Sequence, residues 1–437
     1  MKRRLLRMIQ ERSLVCGVVG LGYVGLPLAV EKAKAGFRTI GFDIQPERVA
    51  MVNQGQNYIG DVVDQELGAL TAGGMLAATE DFELLKAVDF IAVCVPTPLD
   101  ENRQPDLRYI RESAAQIARR LRRGTIVVLE STSYPGTTEE LLRPILEQGS
   151  GMKCGEDFYL GFSPERVDPG NLIYHTCNTP RVVGGIGRDA TEVIAALYRS
   201  VLQGEVFEVS RPAAAEMEKL LENSYRSVNI ALANEMAMLC GAMGLDVWEV
   251  VEAAKTKPYG FTAFYPGPGI GGHCIPVDPV YLSWRARAFG CRTPLLESAA
   301  AVNDRMPEYC AARAARMLNA QGKAVSGSKI LALGAAYKQE VADFRESPAV
   351  RVIELLREQG ARLSFYDPYL SRYVWKGKTR PGLPRLTGSA LSEADLVLVL
   401  TAHAAVDYSL VQKHARQIFD TKNAMKEIVP RENITVL

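Results

Sequence analysis

The 437-residue chain lacks the features that mark several specialised classes of protein. Its formal net charge at pH 7 is only +1, which points neither to nucleic acid nor to an acidic, disordered chain. No apolar run approaches the roughly 20 residues that a membrane span requires. The eight cysteines are dispersed without a Cys-x-x-Cys pair, which argues against a zinc ribbon or a disulfide framework and fits a reducing compartment. These absences predict a cytoplasmic protein without nucleic-acid, membrane or metal partners.

The first thirteen residues are basic and could be taken for the start of a signal peptide. Their basic side chains are Lys2, Arg3, Arg4, Arg7 and Arg12. However, the apolar run at 15–20 is too short for a signal sequence, and a glycine motif interrupts it where a cleavage site would stand. The prediction is therefore a surface helix in preference to a membrane anchor.

Strands and helices alternate at both ends of the chain. Apolar runs predict strands in the first part at 14–20, 38–43, 90–95, 125–130 and 158–162. The alternation resumes near the other end, with predicted strands at 329–334, 362–367 and 395–401. Residues 36–43 resemble residues 360–367, so the pattern is a repeat. It predicts two doubly wound, Rossmann-like α/β domains with parallel sheets.

The middle of the chain has a different character. Long helical patterns rich in Ala, Leu, Met and Glu begin at residue 213 and extend to about residue 318. They predict a central helical domain with one long helix. The predicted domains are residues 1–209, 210–320 and 321–437.

A dinucleotide site is predicted where the first strand ends. Gly20-Leu-Gly-Tyr-Val-Gly25 follows that strand and opens a helix, so Gly20 and Gly22 allow a tight turn close to a pyrophosphate. Tyr23 and Val24 belong to the same turn. Asp43 ends the next strand, where a carboxylate accepts hydrogen bonds from ribose hydroxyls and repels a 2′-phosphate.

The predicted cofactor is therefore NAD. Arg48 could offset the repulsion of a 2′-phosphate. The alternative is a purely structural glycine turn followed by a solvated aspartate.

Two further loops leave predicted strands at the edge where such sheets bind ligands. Val95-Pro-Thr-Pro98 carries Thr97, and the loop at 131–137 carries Ser131 and Thr132. These hydroxyls are candidates for contacts with cofactor or substrate. As isolated hydroxyls, they could equally serve as caps or turn residues.

The long central helix carries a polar pair. Lys219 and Asn223 are four residues apart and so share one face, with Asn234 farther along. A lysine and an amide aimed together can polarise an oxygen that gains negative charge. A solvated helix face is the competing interpretation.

The most informative segment is 264–278, Phe-Tyr-Pro-Gly-Pro-Gly-Ile-Gly-Gly-His-Cys-Ile-Pro-Val-Asp. Its four glycines and three prolines predict a rigid loop that lets backbone approach a ligand closely. Cys274 lies near its end with Asp278 four residues on, an arrangement typical of a nucleophile beside a polar partner. The alternative is that Cys274 is a small buried hydrophobe.

Together these segments resemble the nucleotide-sugar 6-dehydrogenases of the UDP-glucose/GDP-mannose dehydrogenase family. The resemblance covers nearly the full length, and the motifs occur in the family's order. They are Gly-Leu-Gly-Tyr-Val-Gly, Val-Pro-Thr-Pro, Ser-Thr-Ser-Tyr-Pro-Gly-Thr-Thr, Phe-Ser-Pro-Glu-Arg, Glu-Lys-Leu-Leu-Glu-Asn, Gly-Gly-His-Cys-Ile-Pro-Val-Asp and Tyr-Lys followed by Asp-Phe-Arg-Glu-Ser.

The resemblance implies an NAD-dependent, four-electron oxidation of a sugar C6 hydroxyl to a carboxylate, for surface polysaccharide precursors. Cys274 is then the nucleophile, which forms a thiohemiacetal and afterwards a thioester that water hydrolyses. The family also implies a homodimer with its interface on the central helix, and a UDP-binding third domain.

The same resemblance assigns roles to other residues. Lys219 and Asn223 match groups that stabilise the oxyanion and hold the substrate, and Asp278 matches the acid/base partner. Thr132 and Glu165 match groups near the reacting centre and its water, and Arg345 matches a residue that reaches NAD. The remaining implied substrate contacts are Arg166, Phe264, Tyr265, Gly267, Gly271, Tyr337 and Lys338.

His273 and Val277 bear on the choice of sugar. UDP-glucose dehydrogenases typically have Ser and Lys at these positions of the motif, so the pattern here is more like bacterial enzymes for N-acetylated sugars. The favoured substrate is UDP-N-acetylglucosamine. UDP-N-acetylgalactosamine, UDP-N-acetylmannosamine and UDP-glucose remain open.

Two other functions compete. A single-step dehydrogenase of the β-hydroxyacid type also uses a Lys/Asn helix face, but the Cys274 loop argues against it. A nucleotide-sugar sensor could retain the fold without activity. The presence of Cys274, Lys219, Asn223 and Asp278 together argues against that alternative.

Overall fold

The computed structural model describes residues 1–60, 62–168, 171 and 173–437. Packing divides the chain into two compact units. The first unit comprises Met1–Glu222 with Trp284–Cys291, and the second comprises Asn223–Ser283 with Arg292–Leu437. The central helical stretch predicted from the sequence is thus shared between the two units.

The first unit is built on a sheet of order β3-β2-β1-β4-β5-β6-β7-β8. Neighbouring strands are parallel except β6 and β7, which are antiparallel. The strands are β1 (Val15–Val19), β2 (Arg38–Phe42), β3 (Leu76–Thr79), β4 (Phe90–Val93), β5 (Ile126–Leu129), β6 (Tyr159–Phe162), β7 (Arg181–Gly185) and β8 (Val206–Val209). The order 3-2-1-4-5-6 is that of dinucleotide-binding folds, which bind ligands beyond the carboxyl ends of the strands, where the order reverses between β1 and β4.

Helices cover both faces of this sheet, so β4 and β5 are buried along their whole length and consist of apolar residues. The helices are α1 (Lys2–Gln10), α2 (Gly25–Lys34), α3 (Pro46–Asn53), α4 (Asp64–Ala72), α5 (Arg108–Ala118), α6 (Arg143–Ser150) and α7 (Arg188–Val201), with a 3₁₀ turn at Phe82–Ala87 and a π-helical turn at Thr137–Leu142. The basic α1 buries Leu5 and Ile9 while Arg3, Arg4 and Arg7 stay exposed, as an amphipathic surface helix does.

The second unit contains a parallel sheet of order β10-β9-β13-β14-β15 and a separate β11–β12 hairpin. Its strands are β9 (Lys329–Leu333), β10 (Arg362–Tyr366), β11 (Arg372–Trp375), β12 (Lys378–Pro381), β13 (Leu396–Val399), β14 (Ile418–Asp420) and β15 (Ile434–Val436). The remaining helices along the chain are α8 (Pro212–Met243), α9 (Val247–Lys255), α10 (Asp278–Arg287), α11 (Pro294–Ala320), α12 (Pro348–Glu358), α13 (Gly388–Glu393) and α14 (Tyr408–His414).

The predicted fold class is confirmed, with two Rossmann-like parallel sheets and a long helix, α8, of 32 residues. Seven of these strands were not predicted from the sequence: β3, β7, β8, β11, β12, β14 and β15. β3 is short and half exposed, and β7 opens with the charged Arg181, so neither has the apolar run that marks a buried strand. No helix in the described part of the chain is both long and apolar enough to cross a membrane.

Candidate active site

The glycine turn after β1 is shaped for close approach. Gly20 has a φ of +92°, and a Cβ there or at Gly25 would collide with neighbouring backbone. A Cβ at Gly22, in contrast, would meet no described atom within 4 Å. The missing side chain of Gly22 therefore leaves open space beside the turn, and the residues present fit a bound pyrophosphate.

Asp43 joins β2 to this turn. Its side chain is 5% exposed; Oδ2 accepts a hydrogen bond from Leu21 N at 2.8 Å and Oδ1 accepts one from Gln45 N at 2.9 Å. Arg48 Nη1 lies 3.5 Å from Asp43 Oδ2. The carboxylate is thus fixed at the end of β2, with Arg48 as its ion-pair partner.

Two hydroxyl loops follow β4 and β5. Thr97 and Thr132 are half-buried, while Ser131 is buried and its hydroxyl donates to Val93 O at 3.2 Å. The Ser131 side chain therefore points back to the sheet and holds the start of the loop. Contacts of all three residues with cofactor stay predictions.

A buried carboxylate that the sequence analysis missed holds the Thr132 loop. Glu216, in the first turns of α8, accepts hydrogen bonds from Gly136 N at 2.5 Å, Thr138 N at 2.9 Å and Thr138 Oγ1 at 2.7 Å. Burial raises the pKa of Glu216 to about 7, although these hydrogen bonds act in the opposite direction. Glu216 thereby links the loop of Thr132 to the helix of Lys219, three residues farther on.

Glu165 follows β6 and is held by main chain and by an arginine. Its Oε1 accepts from Arg166 N at 2.8 Å and Val167 N at 3.1 Å, and its Oε2 accepts from Arg181 Nη2 at 3.0 Å. These three hydrogen bonds fix the position of both carboxylate oxygens. A role of Glu165 near the reacting centre stays a prediction.

Arg181 belongs to a buried charge network. The residue is 2% exposed, and its Nη1 donates to Glu130 Oε2 at 2.9 Å and to Pro164 O at 3.0 Å. Glu130 also accepts a hydrogen bond from the Tyr198 hydroxyl. Burial raises the pKa of Glu130 even though Arg181 and Lys32 lie beside it. One guanidinium therefore serves two carboxylates, Glu130 and Glu165.

Arg166 binds two carboxylates of α8 in this structure. Its Nε donates to Glu222 Oε2 at 3.2 Å, its Nη1 donates to Pro180 O at 3.0 Å, and its Nη2 lies 3.5 Å from Glu218 Oε1. Burial and the neighbouring Glu222 carboxylate raise the pKa of Glu218 to about 7. Lys219, the next residue, is 7% exposed, so it does not form a solvated helix face.

In the second unit, Cys274 is exposed. Its carbonyl accepts hydrogen bonds from Val277 N at 3.1 Å and Asp278 N at 2.9 Å, which closes a turn at the start of α10. Asp278 is 3% exposed, and its Oδ2 accepts from Asn223 Nδ2 at 2.5 Å. Asn223 and Asp278 are therefore brought together at the end of the turn that begins with Cys274.

The two aromatic residues that open the loop pack on helices. The ring of Phe264 meets that of Tyr225 edge to face at 5.7 Å. Tyr265 stacks on Trp248 at 5.9 Å, and its hydroxyl donates to Glu252 at 2.6 Å. These contacts anchor the loop, while substrate contacts of Phe264 and Tyr265 stay predictions.

Glycines later in the loop lie against the segment that follows β9. A Cβ on Gly271 would come within 2.8 Å of Tyr337 Cβ and 2.7 Å of Glu346 O, and one on Gly272 within 2.8 Å of the Tyr337 ring. Lys338 follows Tyr337 and is half-buried. The absence of side chains thus lets the cysteine loop contact the predicted sugar-binding residues.

His273 and Arg345 converge on one carboxylate. Arg345 donates to Asp343 through Nε at 3.0 Å and Nη2 at 2.6 Å, and His273 Nε2 lies 3.6 Å from Asp343 Oδ2. Burial acts to raise the pKa of Asp343, but His273 and Arg345 outweigh it and hold that pKa well below its usual range. Asp343 was not among the site residues predicted from the sequence.

The second sheet repeats the first glycine turn without its open space. Gly334 has a φ of +86°, as Gly20 does after β1, but Ala336 stands where the first copy has Gly22 and is fully buried. Asp367, at the position of Asp43, accepts hydrogen bonds from Ala336 N at 3.0 Å and bonds to His403 Nε2 at 3.1 Å. The open space beside Gly22 in the first unit thus has no counterpart at Ala336.

Comparison with known proteins gives a consistent result. Family models of the UDP-glucose/GDP-mannose dehydrogenase family match three successive stretches, the NAD binding domain at 14–202, the central domain at 213–305 and the UDP binding domain at 331–427. The chain is 36% identical over 417 residues to the UDP-N-acetyl-D-mannosamine dehydrogenase of Pyrococcus horikoshii, covering 94% of this chain and 96% of that protein.

A second relative has a different stated substrate. The chain is 37% identical over 361 residues to the UDP-N-acetyl-D-glucosamine 6-dehydrogenase of Pseudomonas aeruginosa, covering 82% of this chain and 84% of that protein. Among solved structures, a UDP-D-ManNAc dehydrogenase from Pyrococcus horikoshii superposes with a TM-score of 0.88 at 34% identity, covering 97% of this chain and 99% of that one.

Proposed function

The chain belongs to the UDP-glucose/GDP-mannose dehydrogenase family, and from this premise we propose that it oxidises the C6 hydroxyl of a UDP-N-acetylhexosamine to the carboxylate. The single observation that carries the proposal is the exposed Cys274 on a loop held at both ends, four residues before the Asp278 that bonds to Asn223. A single hydride transfer would have no use for this thiol.

The residues of the first unit fit the cofactor. The turn at Gly20, Gly22 and Gly25 would hold the pyrophosphate of NAD, and Asp43 would accept hydrogen bonds from its ribose. Bound there, NAD supplies the hydride acceptor for each of two oxidations. A catalytic cysteine in the thiol state also fits the reducing cytoplasm predicted from the dispersed cysteines.

Side chains of the protein itself carry out the remaining steps of the reaction. The Cys274 thiolate adds to the C6 aldehyde and forms a thiohemiacetal, whose oxidation leaves a thioester on Sγ. Water then adds to the thioester carbonyl, the C–S bond breaks, and the sulfur leaves as thiolate. Lys219 stabilises the oxyanion of these steps, and Glu165 or Asp278 accepts the proton from water.

His273 and Val277 support an N-acetylated sugar. They differ from the Ser and Lys typical of UDP-glucose dehydrogenases, and His273 faces Asp343 in this structure. The two relatives described above are named for UDP-N-acetylmannosamine and UDP-N-acetylglucosamine. We place UDP-N-acetylglucosamine first, with UDP-N-acetylmannosamine as the second candidate.

A turnover panel tests this function. The purified protein is incubated with NAD and, separately, UDP-N-acetylglucosamine, UDP-N-acetylmannosamine, UDP-N-acetylgalactosamine and UDP-glucose. We expect two NADH per sugar and an acid product, with kcat/KM for an N-acetylated sugar at least about 10-fold above UDP-glucose, or about 1.4 kcal/mol. One NADH per sugar with an aldehyde or ketone product would instead support the single-step alternative.

A homodimer through α8 is part of the proposal. In the second unit, α8 exposes Tyr225, Leu232, Leu239 and Met243, each between 49% and 63% exposed, at spacings of seven, seven and four residues. Such a stripe is characteristic of a helix that packs on a partner. We expect Leu232→Glu to convert a dimer to a monomer in light scattering coupled to size exclusion.

The matched control for the dimer is Leu84→Glu. Leu84 is 43% exposed and lies in the 3₁₀ turn of the first unit, so it is not part of α8. It should leave the mass unchanged. A monomeric wild-type protein, or a dimer that survives Leu232→Glu, would contradict this assignment.

A further inference from the structure

We infer that Asn234 and Asn303 are positioning residues for the nucleophile, because together they fix the main chain of the loop that carries Cys274. The inference rests on the proposed function only in taking Cys274 as the reacting group. From the sequence, Asn234 was placed farther along the helix that carries Lys219 and Asn223. In the structure its side chain is fully buried and bonds to protein groups.

The two amides form a relay of three hydrogen bonds. Gly267 N donates to Asn234 Oδ1 at 2.9 Å, and Asn234 Nδ2 donates to Asn303 Oδ1 at 2.9 Å. Asn303 Nδ2 in turn donates to Ser227 O at 3.1 Å. The relay joins the loop, α11 and α8, and each of its groups lies within the second unit.

The direction of the relay is determined by its ends. Gly267 N can only donate, so the facing atom of Asn234 is the carbonyl oxygen; Ser227 O can only accept, so the facing atom of Asn303 is the amide nitrogen. The inner atoms, Asn234 Nδ2 and Asn303 Oδ1, then form a matched donor and acceptor. Both side chains therefore have one orientation, and neither can turn without leaving a buried group unpaired.

The loop beyond Gly267 depends on this fixed point. A Cβ on Gly269 would lie 3.0 Å from Pro348 Cβ and 3.4 Å from Asn303 O, so the loop also passes directly over the main chain of Asn303. Glycines give a loop little conformational preference of its own, which means that its course must be set by outside contacts. The relay fixes the course of the loop at Gly267, before Cys274, and the Asn223–Asp278 pair fixes it after Cys274.

A purely structural role is the competing explanation, in which the amides only join α8 to α11. The two explanations differ in what happens to the loop. If the amides position Cys274, their loss should increase the motion of 264–278 and slow turnover without affecting the glycine turn of the first unit. If they only join helices, the change should fall on α8 and α11 and on thermal stability.

The test uses Asn234→Ala, Asn303→Ala and the double variant, all in the full chain. Asn229→Ala is the matched control, because Asn229 lies on the same helix and its amide donates to Tyr225 O one turn away, at 2.7 Å. Hydrogen–deuterium exchange is measured on peptides covering 264–278, α8 and α11. Steady-state kinetics give kcat with the best sugar of the panel, and KM for NAD.

We expect Asn234→Ala to lower kcat by about 10- to 100-fold, with KM for NAD within about twofold of wild type, and to speed exchange in 264–278. Asn303→Ala should act in the same direction but less strongly. The double variant should resemble Asn234→Ala alone, because residues that act as one unit are not additive. Asn229→Ala should match wild type in every measurement.

Unchanged loop exchange in Asn234→Ala, or additive losses in the double variant, would overturn the inference. If Asn234→Ala does not fold, Asn303→Ala decides by the same criteria. The exchange measurement needs no turnover, so a wild-type protein that oxidises no UDP-sugar would overturn the proposed function while the inference is still tested on the loop.

Discussion

Cys274→Ala is expected to abolish formation of the sugar acid, with a loss of at least about 1,000-fold in kcat, or roughly 4 kcal/mol of transition-state stabilisation. Without the thiol, the aldehyde from the first oxidation has no covalent anchor, and no thioester forms for water to hydrolyse. The structure supports a reactive role because the residue is exposed at the end of a constrained loop.

The measurement for this variant is twofold. NADH release is followed at saturating substrate, and intact-protein mass is recorded to detect the covalent sugar adduct in wild type and its absence in Cys274→Ala. Cys291→Ala is the matched control, since Cys291 is also an exposed cysteine but lies outside the loop. Wild-type NAD reduction by Cys274→Ala would contradict the thioester mechanism.

Arg181→Met should be the most destabilising substitution near the site, at about 3–5 kcal/mol. Arg181 is 2% exposed between Glu130 and Glu165, so its loss leaves two carboxylates without their shared cation. Methionine keeps much of the volume and isolates the effect of charge. Glu165 should also lose its fixed orientation, so activity should fall together with stability.

The effect of Arg181→Met should depend on pH with a defined sign. Unpaired buried carboxylates have raised pKa values in the folded state, and burial already raises the pKa of Glu130 in wild type. A raised folded pKa means that stability is lost as the pH rises above the ordinary carboxyl value near 4.5. The stability of the variant should therefore be further below that of wild type at pH 8 than at pH 5.

The difference in stability between Arg181→Met and wild type is measured from their urea midpoints at the two pH values. Arg188→Met is the control, because Arg188 pairs with Glu192 on the surface with its own side chain 90% exposed, and an exposed pair of this kind contributes little. The proposed charge network would be contradicted by a urea midpoint for Arg181→Met equal to that of Arg188→Met. It would also be contradicted if the difference between Arg181→Met and wild type became smaller as the pH rises.

The local motifs of the site were predictable from the sequence because they lie in short stretches of chain. The glycine turn at Gly20–Gly25 stands between a strand and a helix that are its neighbours in the sequence. The acid at the end of the next strand belongs to the same short unit. The loop around Cys274 was equally visible, since glycine and proline mark rigid loops locally. Likewise, the similarity of 36–43 to 360–367 was enough to predict the second sheet.

The groups that hold those motifs were not predictable in this way. Glu216 and Thr138 are 78 residues apart, Arg181 and Glu130 are 51 apart, and Asn234 and Asn303 are 69 apart. Nothing in the local sequence pairs them, and a charged residue such as Arg181 at the head of a strand suggests exposure when the sequence is taken alone.

The sequence by itself therefore determined the fold class and the family, and it supplied the candidates for the reactive groups, since these depend on patterns within a few tens of residues. Only the tertiary structure decided how the groups are held. It showed that Arg181 joins Glu165 to Glu130, that Asp343 joins His273 to Arg345, and that Asn234 bonds both to Asn303 and to the main chain of the Cys274 loop. The physical reason is that a buried polar group must find a partner, and packing brings that partner from a distant part of the chain.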